Sequence, residues 1–429
     1  MTLPPARTAP APPQPTPASS SRTPWPPLVW VLLLGTFLIR SAGFAYPFLA
    51  LHLAGRSVAS PWTSIVLALF GAGWLTGQIV CGAAADRVGR RTTLVGAMTV
   101  ATVTFPVLAQ AQSLTALAAA SFLAGVVYDA PRPIVSALIA DSVPDEPTRA
   151  TIAGWRHFAV NLGAACTGAI GGLLAEPAGT APLLWANGAA CALFAVAALR
   201  CLPAHTGTPA PERGNYRAAF TDARLLLLWL ASVCALIPVA ALYSILPVMM
   251  VQDHLPASAY GWSQVAGAIA VLVLSPLLNP WLARRATGDV PMVALLALSA
   301  VILGAGMGSA GLTDHPIGYA AAVVIAVPGE IICFVAAANI VNLIAPSCAR
   351  ALYAGIWGST LAVAVIGAPL MAGWALHAGG HPAVALALTA CGLTGAAICL
   401  PLAALVHHPR PPAASPPLPQ LVPAAHKTS

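Results

Sequence analysis

Long apolar stretches, separated by short polar ones, run along most of the chain. They lie at roughly 27–53, 61–84, 92–110, 114–140, 149–175, 181–201, 222–251, 259–283, 290–311, 316–345, 350–378 and 381–406. About 20 mainly apolar residues let a helix cross a bilayer, and backbone groups in lipid must be satisfied within helices or closed barrels. The stretches are continuous, whereas barrel strands alternate, so they predict membrane-spanning helices. We number these helices spans one to twelve.

Composition supports a membrane protein. Hydrophobic residues make up 58% of the 429 residues and charged residues only 7%, against about 25% charged residues in soluble domains. The formal net charge of +7 does not predict a nucleic-acid partner, because the basic residues are scattered between apolar stretches and form no single basic face. The prediction is therefore an all-α integral membrane protein whose main surroundings are the lipid bilayer.

The basic residues predict the orientation. With both termini in the cytoplasm, that side holds fifteen of the nineteen lysines and arginines, and the outer side holds only Arg56. The remaining three, Arg40, Arg132 and Arg156, lie inside spans. Positive charge favours the cytoplasmic side, so we expect a multi-pass protein with both termini cytoplasmic. Abundant alanine, proline and arginine with a single lysine are consistent with a high-GC bacterium, and hence with the plasma (inner) membrane.

Proline-rich stretches predict the domain boundaries. Residues 1–26 and 407–429 have the composition of disordered tails, and the first lacks the apolar core of a signal peptide. Residues 202–221 form a polar segment that predicts a flexible cytoplasmic linker. The linker divides the chain into two six-helix halves, 27–201 and 222–406.

No enzyme motif accompanies the spans. A P-loop needs a lysine on the phosphates, and the one lysine, Lys427, lies in the C-terminal tail. Zinc-protease and serine-hydrolase motifs are missing, and none of the nine cysteines forms a C-x-x-C pair. We therefore expect no enzymatic activity, no cofactor and no metal site. A membrane-embedded enzyme or a receptor without transport stays the alternative from another class.

A charged loop between spans two and three carries the most specific motif. It runs from Gly82 through Asp86, Arg87, Gly89 and Arg90 to Arg91. This pattern, G-x-x-x-D-R-x-G-R-R, resembles the loop signature of the major facilitator superfamily. The resemblance implies twelve transmembrane helices in two six-helix halves around a central cavity, a monomer, and transport of a small molecule. It also implies that these six residues bridge the halves and stabilise an outward-open state. The alternative is a basic loop that only sets topology.

Span five offers a weaker resemblance. The stretch from Asn161 to Gly172 is similar to the glycine-rich motif of bacterial drug:proton antiporters, although Thr167-Gly168 stands where those proteins have Gly-Pro. The antiporters' arginine motif in span four is absent as well. What the resemblance implies is multidrug efflux by proton antiport. A helix-packing face of small residues is the alternative for the motif, and uptake or facilitated diffusion of a metabolite is the alternative function.

Charged residues inside spans are candidate site residues, since a charge at mid-bilayer costs about 2.5–3.5 kcal/mol on insertion scales. Arg40 lies in span one, Asp129 and Arg132 in span four, and Glu330 in span ten. The family resemblance places these spans around the cavity. Pro131 and Pro133 remove backbone donors beside Asp129, which favours an unwound segment at a binding site.

Two roles stay open for these groups. Asp129 either binds a proton or is neutralised permanently by Arg40 or Arg132. Glu330 has no basic neighbour in its own span, so it is the better candidate to carry a proton or to bind a cationic substrate. Arg40 and Arg132 are candidates to bind an anionic substrate.

Further polar and aromatic residues complete the prediction. Arg156, His157 and Asn161 in span five are candidates for a cytoplasmic gate. Five aromatic residues in spans expected around the cavity could line an apolar pocket, or could instead pack against other helices or lipid: Tyr46, Tyr128, Tyr243, Phe334 and Trp357.

Overall fold

The computed structural model describes residues 25–143, 145–203, 219–286, 292–346 and 349–407. Within these ranges the regular structure is entirely helical. The predicted tails lie almost wholly outside the described residues, as does the linker from residue 204 to residue 218. The all-α prediction is therefore confirmed for the part of the chain that contains the spans.

The helices follow the apolar stretches closely. Spans one, four, seven and eleven each contain a break between two helices, and Ala310–Leu312 adds a 3-10 turn to span nine. In chain order the helices are Pro27–Ser41 and Leu49–Gly55, Ser60–Val88, Arg90–Gln110, Leu114–Tyr128 and Pro131–Ser142, Glu146–Ala175, Ala181–Cys201, Ala223–Ser244 and Leu246–Gln252, Ala257–Ala286, Val293–Ser309, Pro316–Ile344, Arg350–Gly358, and Thr360–His407.

The span count is consistent with twelve. Among the described residues, ten helical segments are long and apolar enough to cross a membrane. One of them, Leu352–Val406, has 55 residues, more than twice what one crossing needs. It breaks at Gly379 and Gly380, where Gly380 has φ 64°, so it supplies spans eleven and twelve. The shorter apolar helix Pro27–Ser41 belongs to span one.

Breaks in spans one and four coincide with proline. Span one is interrupted between Ser41 and Leu49, around Pro47. Span four is interrupted at Asp129, and its second helix begins at Pro131, where a proline costs no helical hydrogen bond. The prediction of an unwound segment beside Asp129 is thus confirmed in geometry. Span ten behaves differently, because its helix continues through Pro328.

Small residues bring the first six spans against the last six. Span five packs on span eight, and span two packs on span eleven. A Cβ added at Gly172 would lie 2.8 Å from the Cα of Gly261, and one added at Gly168 would lie 2.9 Å from the Gly261 carbonyl oxygen. Helix backbones approach this closely only where side chains are absent. The glycine-rich stretch of span five therefore forms a packing face, whatever else it does.

The loop between spans two and three lies on what we call the arginine-rich side of the molecule, the side predicted to be cytoplasmic. Gly89 turns the chain there with φ 88°, a conformation that favours glycine. Arg90 donates to the carbonyl of Ala137 at 3.0 Å and forms an ion pair with Asp141. Arg91 donates to the carbonyl of Leu199 at 2.5 Å. These contacts hold the loop to spans four and six.

The other members of the motif are open to solvent. Gly82, Asp86 and Arg87 are exposed. Neither Asp86 nor Arg87 has a hydrogen bond or ion pair with any residue that the structure describes. A contact of this loop with the last six spans stays a prediction for another conformation.

Candidate functional site

A cavity of about 760 Å³ lies between the two sets of six spans. It is lined by residues of spans one, two, four, five, seven, eight, ten and eleven. Its lining includes residues 153–168 of span five and residues 264–279 of span eight, which are the segments nearer the arginine-rich side. Ala153 and His157 are exposed. The cavity therefore runs from the middle of the molecule toward that side.

The opposite side is closed by packing. Helix Leu49–Gly55 of span one packs against helix Leu246–Gln252 of span seven. The rings of Phe48 and Tyr260 meet edge to face with centroids 5.5 Å apart, and both side chains are fully buried. With the predicted orientation, the cavity would be open toward the cytoplasm and closed toward the outside.

An ion-paired cluster forms the centre of the N-terminal wall, by which we mean the lining residues of spans one to six. Arg40 Nη2 donates to Asp129 Oδ1 at 2.6 Å. Arg132 Nε lies 2.7 Å from Asp129 Oδ2, an ion-pair contact whose angle does not make a hydrogen bond. Asp129 is 2% exposed. The break after Tyr128 lets one buried carboxylate meet two guanidinium groups.

A third guanidinium group lies nearer the arginine-rich side. Arg156 Nη1 donates to the Ser136 hydroxyl and to the carbonyl of Arg132 at 3.4 Å. Asn161 Nδ2 donates to the carbonyl of His157 at 2.9 Å. Arg156, His157 and Asn161 all line the cavity, and their role as a cytoplasmic gate stays a prediction.

Aromatic rings close the inner end of the cavity. Tyr46 stacks on Phe70 with centroids 5.3 Å apart and touches Trp74 and Tyr128 edge to face. Its ring also lies 4.9 Å from that of Tyr243 in span seven, so the contact joins the two walls. The Arg40 guanidinium lies 5.7 Å from the centroid of the Tyr128 ring, within the range of a cation–π contact.

The C-terminal wall, formed by the lining residues of spans seven to twelve, carries a lone charge. Glu330 lines the cavity beside Phe334, and no described residue gives it a hydrogen bond or ion pair. Trp357, predicted to line the cavity, instead lies behind Phe334 at 6.3 Å and donates to Ser232 at 3.1 Å. Glu330 thus faces the cavity without a cation of its own.

Several lining residues escaped the sequence reasoning. Trp74 belongs to the aromatic group, and Gln264, Ser275 and Asn279 supply polar groups from span eight. Gln264 Nε2 donates to the Tyr260 hydroxyl at 2.8 Å. Uncharged polar residues are common on helix-packing faces, so the sequence held no signal that separates these from structural residues.

Chemically, the arrangement suits reversible binding of a small solute. The volume falls within the range of about 300–1,000 Å³ found for small-molecule sites. Both walls offer charged groups to the cavity, and in the N-terminal wall they lie beside the break in span four, a feature typical of transporter binding sites. Among the described residues, no group of three or more histidine, cysteine or acidic side chains could hold a metal ion.

Comparison with known proteins reveals the same architecture. A crystal structure of a peptide transporter of the POT family, in complex with sulfate, superposes with a TM-score of 0.75 at 15% identity, covering 89% of this chain and 94% of that one. A POT family transporter bound to a thioalcohol-conjugated peptide gives a TM-score of 0.73 at 12% identity, with coverage of 89% and 96%.

A nucleoside transporter gives a TM-score of 0.65 at 13% identity, with coverage of 89% and 99%. At these identities the likeness shows the fold alone. No curated protein matches the sequence. The sequence model of the Major Facilitator Superfamily matches residues 28–347. This chain therefore belongs to the major facilitator superfamily, whose twelve-helix fold serves the secondary transport of small molecules.

Proposed function

We propose that the protein exports a small organic compound across the plasma membrane by proton antiport with alternating access. The observation that carries this proposal is Glu330, an acidic side chain that lines the cavity without a cationic partner among the described residues. Such a carboxylate can hold either a proton or the cationic group of a substrate, but not both. Mutual exclusion at one group is the requirement for antiport.

Asp129 supports the proposal by contrast. It is in ion-pair contact with both Arg40 and Arg132, so it is already neutralised. In our proposal it positions the two arginines, and Glu330 carries the proton. The cavity opens toward the arginine-rich side, where a substrate from the cytoplasm would enter.

Alternating access would reverse this shape. The two walls would separate where Tyr46 meets Tyr243, and Arg156, His157 and Asn161 would narrow the other end. The exposed Asp86 and Arg87 would then be free to bridge the halves, as the family resemblance implies.

Uptake or facilitated diffusion is the second candidate. The peptide and nucleoside transporters that share the fold favour it, because their names do not describe drug efflux. In that case Glu330 would contact substrate but would not couple transport to protons.

Counterflow and pH-jump assays in proteoliposomes test the proposal. In vesicles that hold the protein right side out, a pH gradient with the acid side outside should drive substrate export by wild type. Glu330→Gln should abolish this drive, while gradient-free exchange should persist at a higher substrate concentration. Glu330→Asp should retain part of the coupling. Arg285→Gln, at an exposed site beside Trp281, is the matched control and should behave as wild type.

Two results would contradict antiport. One is equal flux with and without the pH gradient. The other is full coupling in Glu330→Gln, which would assign the proton to another group. The first would leave facilitated diffusion as the function.

A further inference from the structure

The charges lining the cavity are distributed unevenly between its walls. The N-terminal wall holds three guanidinium groups, Arg40, Arg132 and Arg156, and one carboxylate, Asp129. The C-terminal wall holds Glu330 and, among the described residues, no lysine or arginine. With His157 neutral, one wall has an excess of two positive charges and the other has one negative charge.

This imbalance is costly at membrane depth unless something offsets it. Asp129 neutralises only one of the two guanidinium groups it contacts. Arg156 has no ion pair with a carboxylate in the described part of the chain, and its hydrogen bonds go to the Ser136 hydroxyl and to the Arg132 carbonyl. That contact places the Arg156 guanidinium against the backbone of Arg132, so both arginines line the same wall of the cavity. An anionic group bound between them would offset the excess positive charge of this wall.

Guanidinium groups suit one kind of ligand in particular. Arginine binds carboxylate and phosphate groups with two parallel hydrogen bonds. Arg156 uses Nη1 for its protein contacts and keeps its other donors free of hydrogen bonds to the described residues. Arg132 is 41% exposed in its side chain. Arg132 contacts Asp129 through Nε, and its Nη2 donates to the Gln78 side-chain oxygen at 3.2 Å. Its Nη1 and the remaining donors of Arg156 are therefore the ones left for a ligand.

The opposite wall suits a cation. Glu330 shares its part of the cavity with the rings of Tyr243 and Phe334. A carboxylate beside aromatic faces is a good environment for an ammonium group, because ring faces attract cations. The two walls thus favour opposite charges on a single solute lying between them.

We propose that the substrate is dipolar, with a carboxylate- or phosphate-type group bound by Arg156 and Arg132 and an amine bound by Glu330. This inference rests on the proposed function, which it deepens, and it disfavours the purely cationic compounds that multidrug exporters would be expected to carry. When Glu330 takes up a proton, its contact with the substrate amine would be lost, and the substrate would be released from the C-terminal wall.

Matched probes test the charge requirement. Binding to the purified full-length protein would be followed by isothermal calorimetry, with quenching of tryptophan emission as a second readout. One series comprises phenylalanine, its methyl ester and its N-acetyl derivative, which are dipolar, cationic and anionic. A second series uses phenylalanyl-alanine and the same two derivatives, to span a longer distance between charges.

We expect the dipolar member to bind at least about tenfold more tightly than either derivative, since each derivative lacks one charge-assisted contact. Arg156→Gln should weaken the dipolar and anionic probes about tenfold and leave the ester unaffected. Glu330→Gln should weaken the dipolar and cationic probes about tenfold and leave the N-acetyl derivatives unaffected. Arg156→Lys should restore part of the loss, and Arg285→Gln should change nothing.

Tighter binding of the methyl esters would overturn the inference, as would binding of N-acetyl probes that is insensitive to Arg156→Gln. Failure of every dipolar probe to bind at millimolar concentration would also overturn it. These results are separable from the transport test. Dipolar binding without proton coupling would contradict antiport alone, whereas proton-coupled transport of a purely cationic compound would contradict the dipolar substrate alone.

Discussion

The two walls of the cavity each contain an acidic residue inside a span, but the surroundings of the two carboxylates differ. Asp129 is 2% exposed and contacts Arg40 and Arg132, while Glu330 has no ionic partner among the described residues. A carboxylate in contact with two guanidinium groups is held in place by them and has little room for another cation. A carboxylate that lines an open cavity without such a contact is free to exchange partners. The comparison teaches that a charge inside a span is structural or functional according to what surrounds it.

Removing the paired acid should have the largest effect. Asp129→Asn would leave two guanidinium groups without a carboxylate, and breaking a buried ion pair costs about 3–5 kcal/mol. We expect a strong fall in folded yield and melting temperature. Glu330→Gln should leave both unchanged, because it breaks no contact. The measurement is fluorescence-detected size exclusion with a thermal ramp.

A second variant sharpens that result. Asp129→Asn combined with Arg40→Gln removes one of the two orphaned charges, so it should recover part of the lost stability. If Asp129→Asn proved as stable as wild type, the ion pairs would be dispensable, and the contrast between the two walls would not hold.

The contact between the walls should show an intermediate effect. Tyr243→Ala would remove the ring that lies 4.9 Å from the Tyr46 ring. The hydrogen bond from the Tyr46 hydroxyl to the Ala240 carbonyl, at 3.5 Å, would then be more exposed. We expect several-fold faster labelling, from the side opposite the arginine-rich side, of a cysteine introduced at Thr36 in the cavity. Tyr243→Phe keeps the ring and is the control. Unchanged labelling in Tyr243→Ala would mean that Phe48 and Tyr260 alone close that side.

The smallest effect should come from the hydrogen bonds of Asp222, at the arginine-rich end of the C-terminal spans. Asp222 accepts hydrogen bonds from the Arg224 side chain at 3.1 Å and from the Tyr353 hydroxyl at 2.9 Å. Burial raises the pKa of this carboxyl, but the hydrogen bonds from Arg224 and Tyr353 outweigh burial, so the net pKa is lowered.

A lowered folded-state pKa contributes stability above the unfolded value of about 3.9, and that contribution is lost as pH falls through the folded value. Asp222→Asn should therefore cost about 1 kcal/mol near pH 7, reduced by partial solvent access. The difference from wild type should vanish at the acid end of a melting series. Asp86→Asn, at an exposed site, should show no difference at any pH, and a pH-independent loss in Asp222→Asn would refute the ionic explanation.

Much of the fold followed from local properties of the sequence. Apolar length predicted the spans, because a bilayer requires a set number of apolar residues whatever the neighbours are. The G-x-x-x-D-R-x-G-R-R loop identified the superfamily, and the charges at Arg40, Asp129, Arg132 and Glu330 were conspicuous because lipid penalises each one. Pro131 predicted the break in span four, yet Pro328 produced no break in span ten, since neighbouring helices can accommodate a proline.

Residues without a charge or a special backbone were harder to assign. The cavity lining includes Trp74, Gln264 and Ser275, but these residue types occur equally on helix-packing faces. Trp357 was expected in the cavity and instead supports Phe334 from behind. Which face of a helix lines the cavity depends on how the helix is rotated about its axis relative to the other spans. The sequence of a uniformly apolar helix does not predict that rotation.

The sequence by itself determined that this chain is a membrane transporter and which charged groups must lie away from lipid, because solvation by the bilayer acts on each residue separately. Only the tertiary structure decided that Asp129 contacts two arginines, whereas Glu330 has no ionic partner among the described residues. Pairing depends on distances between spans that are far apart in the chain, and those distances arise from helix packing rather than from any single segment.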